Sequence, residues 1–194
     1  MFHSAKVQVF ISGGLALTIA LCTWITVSAY VTQCCKWSGN SATYTYDLSL
    51  PSSFQSAVSA AAFTWTNSSS SSWSWTNSPT PGNLVRHGAI DGAGNTLAAT
   101  TNTYSGSTIT KMDMKFDSAE SWYTGSGTPS GTQKDLQSIA THEFGHGLGL
   151  SHTQSMNCPG NSTNATMCAG YTSGTTHLRS LQSDDNSGVQ FLYP

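Results

Sequence analysis

Charged residues are scarce in this sequence: Asp, Glu, Lys and Arg make up only 8% of its 194 residues. The seven Lys and Arg are scattered and form no basic run, so the sequence lacks the charge pattern of a nucleic-acid-binding protein. Polar side chains are supplied mainly by Ser, Thr and Asn, as in many exported proteins. The length suits a single domain behind a leader segment.

Charge is absent from a long N-terminal stretch, since no Asp, Glu, Lys or Arg lies between Lys6 and Lys36. This stretch is largely apolar and reaches the small residues Val27-Ser28-Ala29, which suit signal peptidase. We predict a signal peptide over residues 1–29 and a secreted domain over residues 30–194. The alternative is an uncleaved membrane anchor, because the apolar stretch approaches the ~20 residues that span a bilayer.

Cysteines are few, and apart from Cys22 in the leader they number four. In an oxidising compartment, four cysteines predict two disulfides, with three possible pairings. Adjacent cysteines rarely bond to each other, because the small ring that such a disulfide closes is strained. We therefore expect Cys34 and Cys35 to remain unpaired with one another. A Cys158–Cys168 bond would close a short loop and is favoured. The alternative has both of these residues reaching back to Cys34 and Cys35.

Periodic patterns predict strands and helices in alternation. Alternation at Tyr44, Tyr46 and Leu48 predicts a strand within Lys36–Leu48. After Pro51, apolar residues at helical spacing predict a helix, with Ser52 and Gln55 as its capping box. The apolar positions of this helix are Phe54, Val58, Ala61, Ala62 and Trp65.

The remainder of the chain continues this mixture. Further strands are predicted at Trp73–Thr76, Leu84–Ile90, Thr96–Thr101 and Ile109–Phe116. A second helix is indicated by the apolar residues Leu136, Ile139 and Ala140, and a short last helix is predicted from Asp184 to Leu192. These elements predict one α+β domain without internal repeats.

The segment Ala140–His152 is rich in histidine and glutamate, which are rare in the rest of the chain. It holds three of the six histidines and one of only two glutamates. His142 and His146 are four residues apart, so on a helix their rings share one face. That spacing lets two neutral imidazoles bind one Zn²⁺ at ~2.0–2.1 Å. Glu143 lies beside the first ligand, where a carboxylate can act as general base.

Two further residues complete the pattern HExxHxxGxxH. Gly149 allows the helix to stop and the chain to turn sharply, and His152 then returns as a third ligand. Three nitrogen ligands leave a fourth position open for water, which is typical of catalytic zinc. A chance match to this pattern has a probability on the order of 10⁻⁵, so the metal interpretation is favoured over satisfied core histidines.

The segment HEFGHGLGLSH resembles the zinc signature of the metzincin endopeptidases, and Met167 in ATMCAGY resembles their Met-turn. Within that group the chain is most similar to the matrixins, the catalytic domains of matrix-metalloprotease type. The segments DGAGNTLA, MKFDSAESW and SLQSDDNSGVQFLYP occur in the family's order, and the resemblance covers Lys36 to Pro194. It implies a zincin-like α+β domain: a twisted, mostly parallel sheet with an antiparallel edge strand, two long helices and a C-terminal helix.

The resemblance also implies roles for individual residues. His142, His146 and His152 would bind zinc, and Glu143 would be the general base. Met167 would lie beneath the metal without ligating it. Two further roles are implied: Tyr171 would line the substrate pocket beyond the scissile bond, and Asp184 or Asp185 would anchor the last helix to the Met-turn.

A structural calcium is implied by two acidic segments. Hard oxygen ligands drawn from two loops suit Ca²⁺. Its ligands would be the side chains of Asp91, Asp117 and Glu120, with the carbonyls of Gly92 and Gly94.

The sequence departs from the matrixin pattern at the family's second, structural zinc. Lys115 and Ala99 stand where histidine ligands are expected, and His87 is out of register. We therefore predict a single, catalytic zinc. The segment between His152 and Met167 is also longer than usual, and we expect it to form a lip that a disulfide pins over the cleft.

The sequence also leaves no room for the family's inhibitory propeptide between Ala29 and the first predicted strand. We expect a mature enzyme made without that segment; the alternative is that Cys34 or Cys35 blocks the zinc as a thiolate.

Together these features predict a secreted, monomeric zinc endopeptidase that hydrolyses internal peptide bonds by zinc-activated water. Protein or peptide substrates would lie extended along an edge strand near Thr96–Tyr104, as in β-augmentation. The chief alternative is an extracellular zinc-containing binding or adhesion module, which the intact Glu143 disfavours. A second is an astacin-like metzincin, which the sequence near the C-terminus disfavours. Membrane association is expected only if the N-terminal segment stays uncleaved.

Overall fold

The computed structural model describes residues 30–153 and 165–194. The predicted signal peptide and Cys158 lie outside these ranges. Within them, no helix is both long enough and apolar enough to cross a membrane.

One five-stranded sheet forms the centre of the fold. Its order is β3-β2-β4-β6-β5; all neighbours are parallel except β5 and β6, which are antiparallel. This confirms the predicted mostly parallel sheet with an antiparallel edge strand. Within the described ranges the strands are β1 Val31–Thr32, β2 Ser41–Tyr46, β3 Ser74–Asn77, β4 Leu84–Gly88, β5 Ala98–Ser105, β6 Thr108–Asp117, β7 Trp122–Tyr123, β8 Lys134–Asp135 and β9 Leu150–Ser151.

Three α-helices accompany the sheet. They are α1 Ser52–Thr66, α2 Leu136–Leu148 and α3 Ser183–Leu192, with a short 3-10 helix at His177–Arg179. The predicted apolar positions of α1 are all buried. The predicted capping box is wrong, because Pro51 occupies the N-cap and no side chain caps the helix. Ser52 is already the first helical residue, one position too late to act as a cap.

Two strands have boundaries that differ from the prediction by two residues or more. β4 ends at Gly88 rather than Ile90, and β5 runs over Ala98–Ser105 rather than Thr96–Thr101. The residues between these strands form a loop, and Asp91 fixes it by accepting hydrogen bonds from the amide and hydroxyl of Thr96. Side-chain bonding of this kind competes with strand pairing.

Four short strands make two small ladders that the periodicity did not predict. β1 pairs with β9, with Val31 opposite Ser151 and Thr32 opposite Leu150, and β7 pairs with β8. Two-residue strands carry too few side chains to show alternation. The β1–β9 ladder places the N-terminal segment beside the end of α2.

The core lies where α1 and α2 pack against the sheet. Trp65 of α1 and Phe144 of α2 have no exposed surface, and each such side chain contributes about 1.5–3 kcal/mol when fully buried. The indole Nε1 of Trp65 donates to the carbonyl of Thr141 at 2.8 Å. The helix that carries the histidine pair is therefore fixed against its neighbour.

The expectation that adjacent cysteines stay unpaired is wrong, because a disulfide joins Cys34 to Cys35. The chain is held on both sides of the pair: Gln33 N donates to Gly149 O at 2.7 Å, and Ile109 N donates to Lys36 O at 2.8 Å. The two sulfurs are thus kept side by side, and neither is a free thiolate that could block a zinc. Cys168 is also disulfide-bonded. Because Cys158 lies outside the described residues, the predicted Cys158–Cys168 pairing stays a prediction.

Replacing Gly149 by alanine should destabilise the fold strongly. Its φ of +104° favours glycine, and an added Cβ would lie 2.5 Å from the backbone oxygen of Cys35. Gly92→Ala is the matched control, since Gly92 has a φ of +93° but nothing within 4 Å of the added atom. We expect a cost of about 1–2 kcal/mol for the control and at least about 1 kcal/mol more for Gly149→Ala, measured by denaturant unfolding. Equal losses would contradict this account.

Candidate metal centre

Helix α2 is fixed at both ends, and this positions its histidines. At its start, the Asp135 carboxylate accepts a hydrogen bond from the amide of Ser138 at 2.8 Å. The same carboxylate forms an ion pair with Arg179. At its end, Gly149 takes the left-handed conformation and closes the helix, as predicted. His142 and His146 lie between these two points on one face.

The Nε2 atoms of three histidines converge. They belong to His142, His146 and His152. The short strand β9 follows Gly149 and returns the chain, so that His152 lies opposite the helical pair. Its Nε2 is 3.1 Å from the Nε2 of His142 and 3.1 Å from that of His146. Among the described residues, this is the one group of three or more potential metal ligands within 4.8 Å of one another.

The hydrogen bonds of these rings suit metal binding. The Nδ1 of His142 donates to the carbonyl of Thr166 at 2.7 Å, and the Nδ1 of His146 donates to the carbonyl of Leu150 at 2.9 Å. With the proton on Nδ1, each Nε2 keeps a free lone pair, which is the usual arrangement of zinc-binding histidines.

The charge state of the rings also fits a cation. Burial lowers the pKa of His142 to about 3. His152 is more exposed, and partial desolvation, followed by the neighbouring His146, lowers its pKa as well. Imidazole nitrogens that converge on one point form a donor set that Zn²⁺ prefers.

Glu143 places a carboxyl group beside this centre. Its side chain is only 5% exposed, and its Oε2 is buried without a hydrogen-bond partner among the described residues. Burial raises the pKa of this carboxyl. A buried oxygen left without a partner is costly, so this oxygen is suited to accept a hydrogen bond or a proton from a group that enters the cleft.

Comparison with known proteins identifies this arrangement. The family profile described as matrixin (peptidase family M10) matches residues 37–194. The chain belongs to the matrixin family. It is 37% identical to human matrix metalloproteinase-25 over 106 residues, 40% identical to human stromelysin-3 over 104 residues and 35% identical to human matrilysin over 104 residues.

These alignments cover only part of each protein. Each spans 54% of this matrixin, but only 17% of matrix metalloproteinase-25, 18% of stromelysin-3 and 34% of matrilysin. The family profile is the broader match, since it includes the sheet, the three histidines and the C-terminal helix.

Met167 packs against helix α2 of this matrixin at Gly145. It is 2% exposed, and a Cβ added to Gly145 would collide with its thioether and lie 2.8 Å from the Trp65 ring. Gly145 is thus the residue between the two ligands that lets Met167 approach the helix closely. The Met-turn role of Met167 stays a prediction.

Of the two candidate aspartates, it is Asp185 that joins the last helix to this turn. Its carboxylate accepts the amides of Thr166 at 2.7 Å, Met167 at 3.0 Å and Gln182 at 2.8 Å. Burial raises the pKa of Asp185, while these amides favour its ionised form.

Asp185→Asn should cost about 2 kcal/mol of unfolding free energy, because an amide nitrogen would face backbone donors in a buried site. Thermal melts compared with Asp113→Asn, whose carboxylate pairs with Lys111 near the surface, measure the difference. Losses of the same size in both variants would contradict the anchoring role.

A cleft of about 390 Å³ opens at the metal centre. Tyr171 forms part of its wall and is held on three sides: its hydroxyl accepts the amide of Asp135 at 2.9 Å, donates to the carbonyl of Thr175 at 2.6 Å, and its ring stacks on His177. The residues that line the cleft are Gly94, Asn95, Thr96, Leu97, Ala98, Lys134, Ile139, His142, Glu143, His152, Cys168, Ala169, Gly170, Tyr171 and Leu178.

The two predicted calcium loops are adjacent and are joined by hydrogen bonds. Asp117 Oδ2 accepts the amides of Asp91 at 3.2 Å and Gly92 at 3.1 Å, and Glu120 accepts the amide of Gly94 in a short hydrogen bond. The amide of Ala119 and those of the facing loop lower the pKa of Asp117. The carboxylates are thus brought together but are turned towards backbone amides.

The two residues predicted to stand at the structural-zinc histidine positions lie opposite each other. Ala99 of β5 pairs with Lys115 of β6. His87 pairs with Phe116 instead, and its ring packs 5.0 Å from that of Phe54. A methyl group and an ammonium offer no lone pair that binds zinc.

Two residues that support the centre were not predicted from the sequence. Thr100 of β5 donates to the carbonyl of Glu143 at 3.2 Å, and Arg179 holds the carboxylate that caps α2. These partners are 43 and 44 residues apart in the chain, so no local pattern could indicate them.

Proposed function

We propose that this matrixin is a secreted zinc-dependent endopeptidase in which Glu143 is the general base. The observation that carries the proposal is the convergence of three Nε2 atoms beside a buried, unpartnered carboxyl oxygen. A binding module has no use for that carboxyl, whereas hydrolysis of an amide requires a group that accepts and returns a proton.

The chain's own groups divide the work of hydrolysis. His142, His146 and His152 would hold zinc, which supplies Lewis acidity and lowers the pKa of a bound water towards ~7. Glu143 accepts a proton at Oε2 as the scissile carbonyl is attacked, and then delivers it to the leaving amine.

The substrate would lie along β5. This strand is at the edge of the sheet and borders the cleft at Ala98, so a peptide can add to it as a further strand. The side chain beyond the scissile bond would enter the cleft beside Tyr171. Backbone pairing accepts many sequences, so selectivity would come from this pocket.

Secretion is supported by the disulfides. Disulfides persist in oxidising compartments, and the bond between Cys34 and Cys35 follows directly after the predicted leader. N-terminal sequencing of protein collected from the medium should give a chain that starts near Tyr30. A cell-bound protein with an intact leader would contradict secretion.

A structural calcium at the loops of Asp91 and Asp117 is a further part of the proposal. Oxygen ligands from two adjoining loops suit Ca²⁺, and ion binding would require Asp117 and Glu120 to exchange their amide partners for the ion. Calcium should then raise the melting temperature of the wild type and have no such effect on Glu120→Gln. An unchanged wild-type melting temperature at millimolar calcium would contradict the site.

A peptide-cleavage assay with and without chelator tests the function. We expect internal cleavage of peptide substrates that a chelator abolishes and added zinc restores. Zinc bound at one ion per chain without any cleavage would favour the alternative, a zinc-containing binding module.

A further inference from the structure

The N-terminal segment that precedes the disulfide is built into the metal centre. β1 pairs with β9, the strand that leads to His152, and the backbone amide of Gln33 donates to the carbonyl of Gly149 at 2.7 Å. This segment therefore lies against the turn that connects the helical ligand pair to the third ligand.

The side chain of Gln33 bonds to two elements at once. Its Nε2 donates to the carbonyl of Leu150 at 3.1 Å and lies 3.4 Å from the carbonyl of His146. Its Oε1 accepts hydrogen bonds from Asn102 at 3.2 Å and Tyr104 at 2.7 Å, both in β5. One amide thus connects the end of α2 to the edge strand.

The carbonyl that Gln33 contacts is the one that orients a metal ligand. Leu150 O accepts the Nδ1 proton of His146 at 2.9 Å, so Gln33 and His146 together use both of its lone pairs. Asn102 reinforces the same region by donating to the carbonyl of His146 at 2.8 Å. Groups that hold a ligand's hydrogen-bond partner tune metal affinity without touching the metal.

We propose that Gln33 is a positioning residue for the metal centre. It fixes the Leu150 carbonyl, which fixes the ring of His146, and it ties this arrangement to the strand along which substrate would lie. The part of this inference that concerns substrate rests on the proposed function. The other part, called the metal arm below, concerns zinc affinity alone.

Gln33→Met tests the metal arm, because methionine has a similar length but neither donates nor accepts these bonds. The matched control is Asn83→Leu: the Asn83 amide also bridges two elements, donating to Thr43 O at 2.7 Å and accepting from Met112 N at 2.8 Å, but it contacts no ligand. In the full chain, zinc affinity is measured by chelator competition and stability by thermal melts. We expect both variants to melt earlier, but only Gln33→Met to bind zinc about 10-fold more weakly.

A variant at the surface separates a loss of zinc affinity from a loss of folding. Tyr104→Phe removes one bond to Gln33 from a side chain that is 42% exposed, and it should weaken zinc binding a few-fold while leaving the melting temperature of the metal-free protein unchanged. Zinc affinities in Gln33→Met and Tyr104→Phe equal to that of the wild type would overturn the proposal, as would an equal loss in Asn83→Leu. A wild type that binds zinc but cleaves no peptide would instead overturn the proposed function and leave the zinc result for Gln33 standing.

Discussion

Glu143→Ala is expected to lose nearly all peptide cleavage and to keep its zinc. A positioned general base contributes about 10²–10⁴-fold to rate, and the structure offers no second carboxylate among the described residues that line the cleft. The three imidazole ligands are untouched by this change. Turnover number and zinc content, measured on the same preparation, separate the loss of a base from the loss of the metal.

Two further variants sharpen this result. Glu143→Gln keeps the shape of the side chain and should be as inactive as the alanine variant, which excludes loss of packing as the cause. Glu120→Gln changes the only other glutamate of the chain, outside the cleft, and should retain full turnover when assayed well below its melting temperature. A Glu143 variant that kept even about a tenth of the wild-type rate would refute the role assigned to it.

His152→Ala should have the second largest effect, through the loss of zinc. Four-ligand structural zinc sites gain about 10–16 kcal/mol from binding, so the loss of one ligand should weaken affinity by at least about 100-fold. His152 is exposed, so the metal-free protein should fold as the wild type does. Cleavage should fall in parallel with zinc occupancy.

The control for this experiment is His87→Ala. His87 packs against Phe54 and pairs with Phe116 in register, away from the three ligands. Metal analysis should give one zinc per chain in the wild type and in His87→Ala. Two zincs in the wild type and one in the control would show that a second site exists, and unchanged zinc affinity in His152→Ala would contradict the three-ligand centre.

The motif predicted the centre because its contacts are local. His142 and His146 share a helix face, and one turn closed by Gly149 is enough to return His152. The apolar positions of α1 were predictable for the same reason, since helical periodicity reports which side faces the core. These features depend on residues close together in the sequence.

The features that sequence did not predict depend on distant partners. Gln33 meets Leu150 across 117 residues, and Arg179 meets Asp135 across 44. The strain of a bond between adjacent cysteines predicts that Cys34 and Cys35 stay unpaired with one another. In the structure, contacts on both sides of the pair hold the two residues in place. The Ser52 capping box failed because a shift of one position in the helix start removes its geometry, and local pattern does not fix that start.

The central claim is that three imidazoles hold one zinc with an open position. X-ray absorption spectroscopy at the zinc edge, on protein purified with its native metal, measures this directly. We expect three histidine nitrogens at ~2.0–2.1 Å and one oxygen ligand at a similar distance. A sulfur ligand at ~2.3 Å, or fewer than three histidine nitrogens, would contradict it.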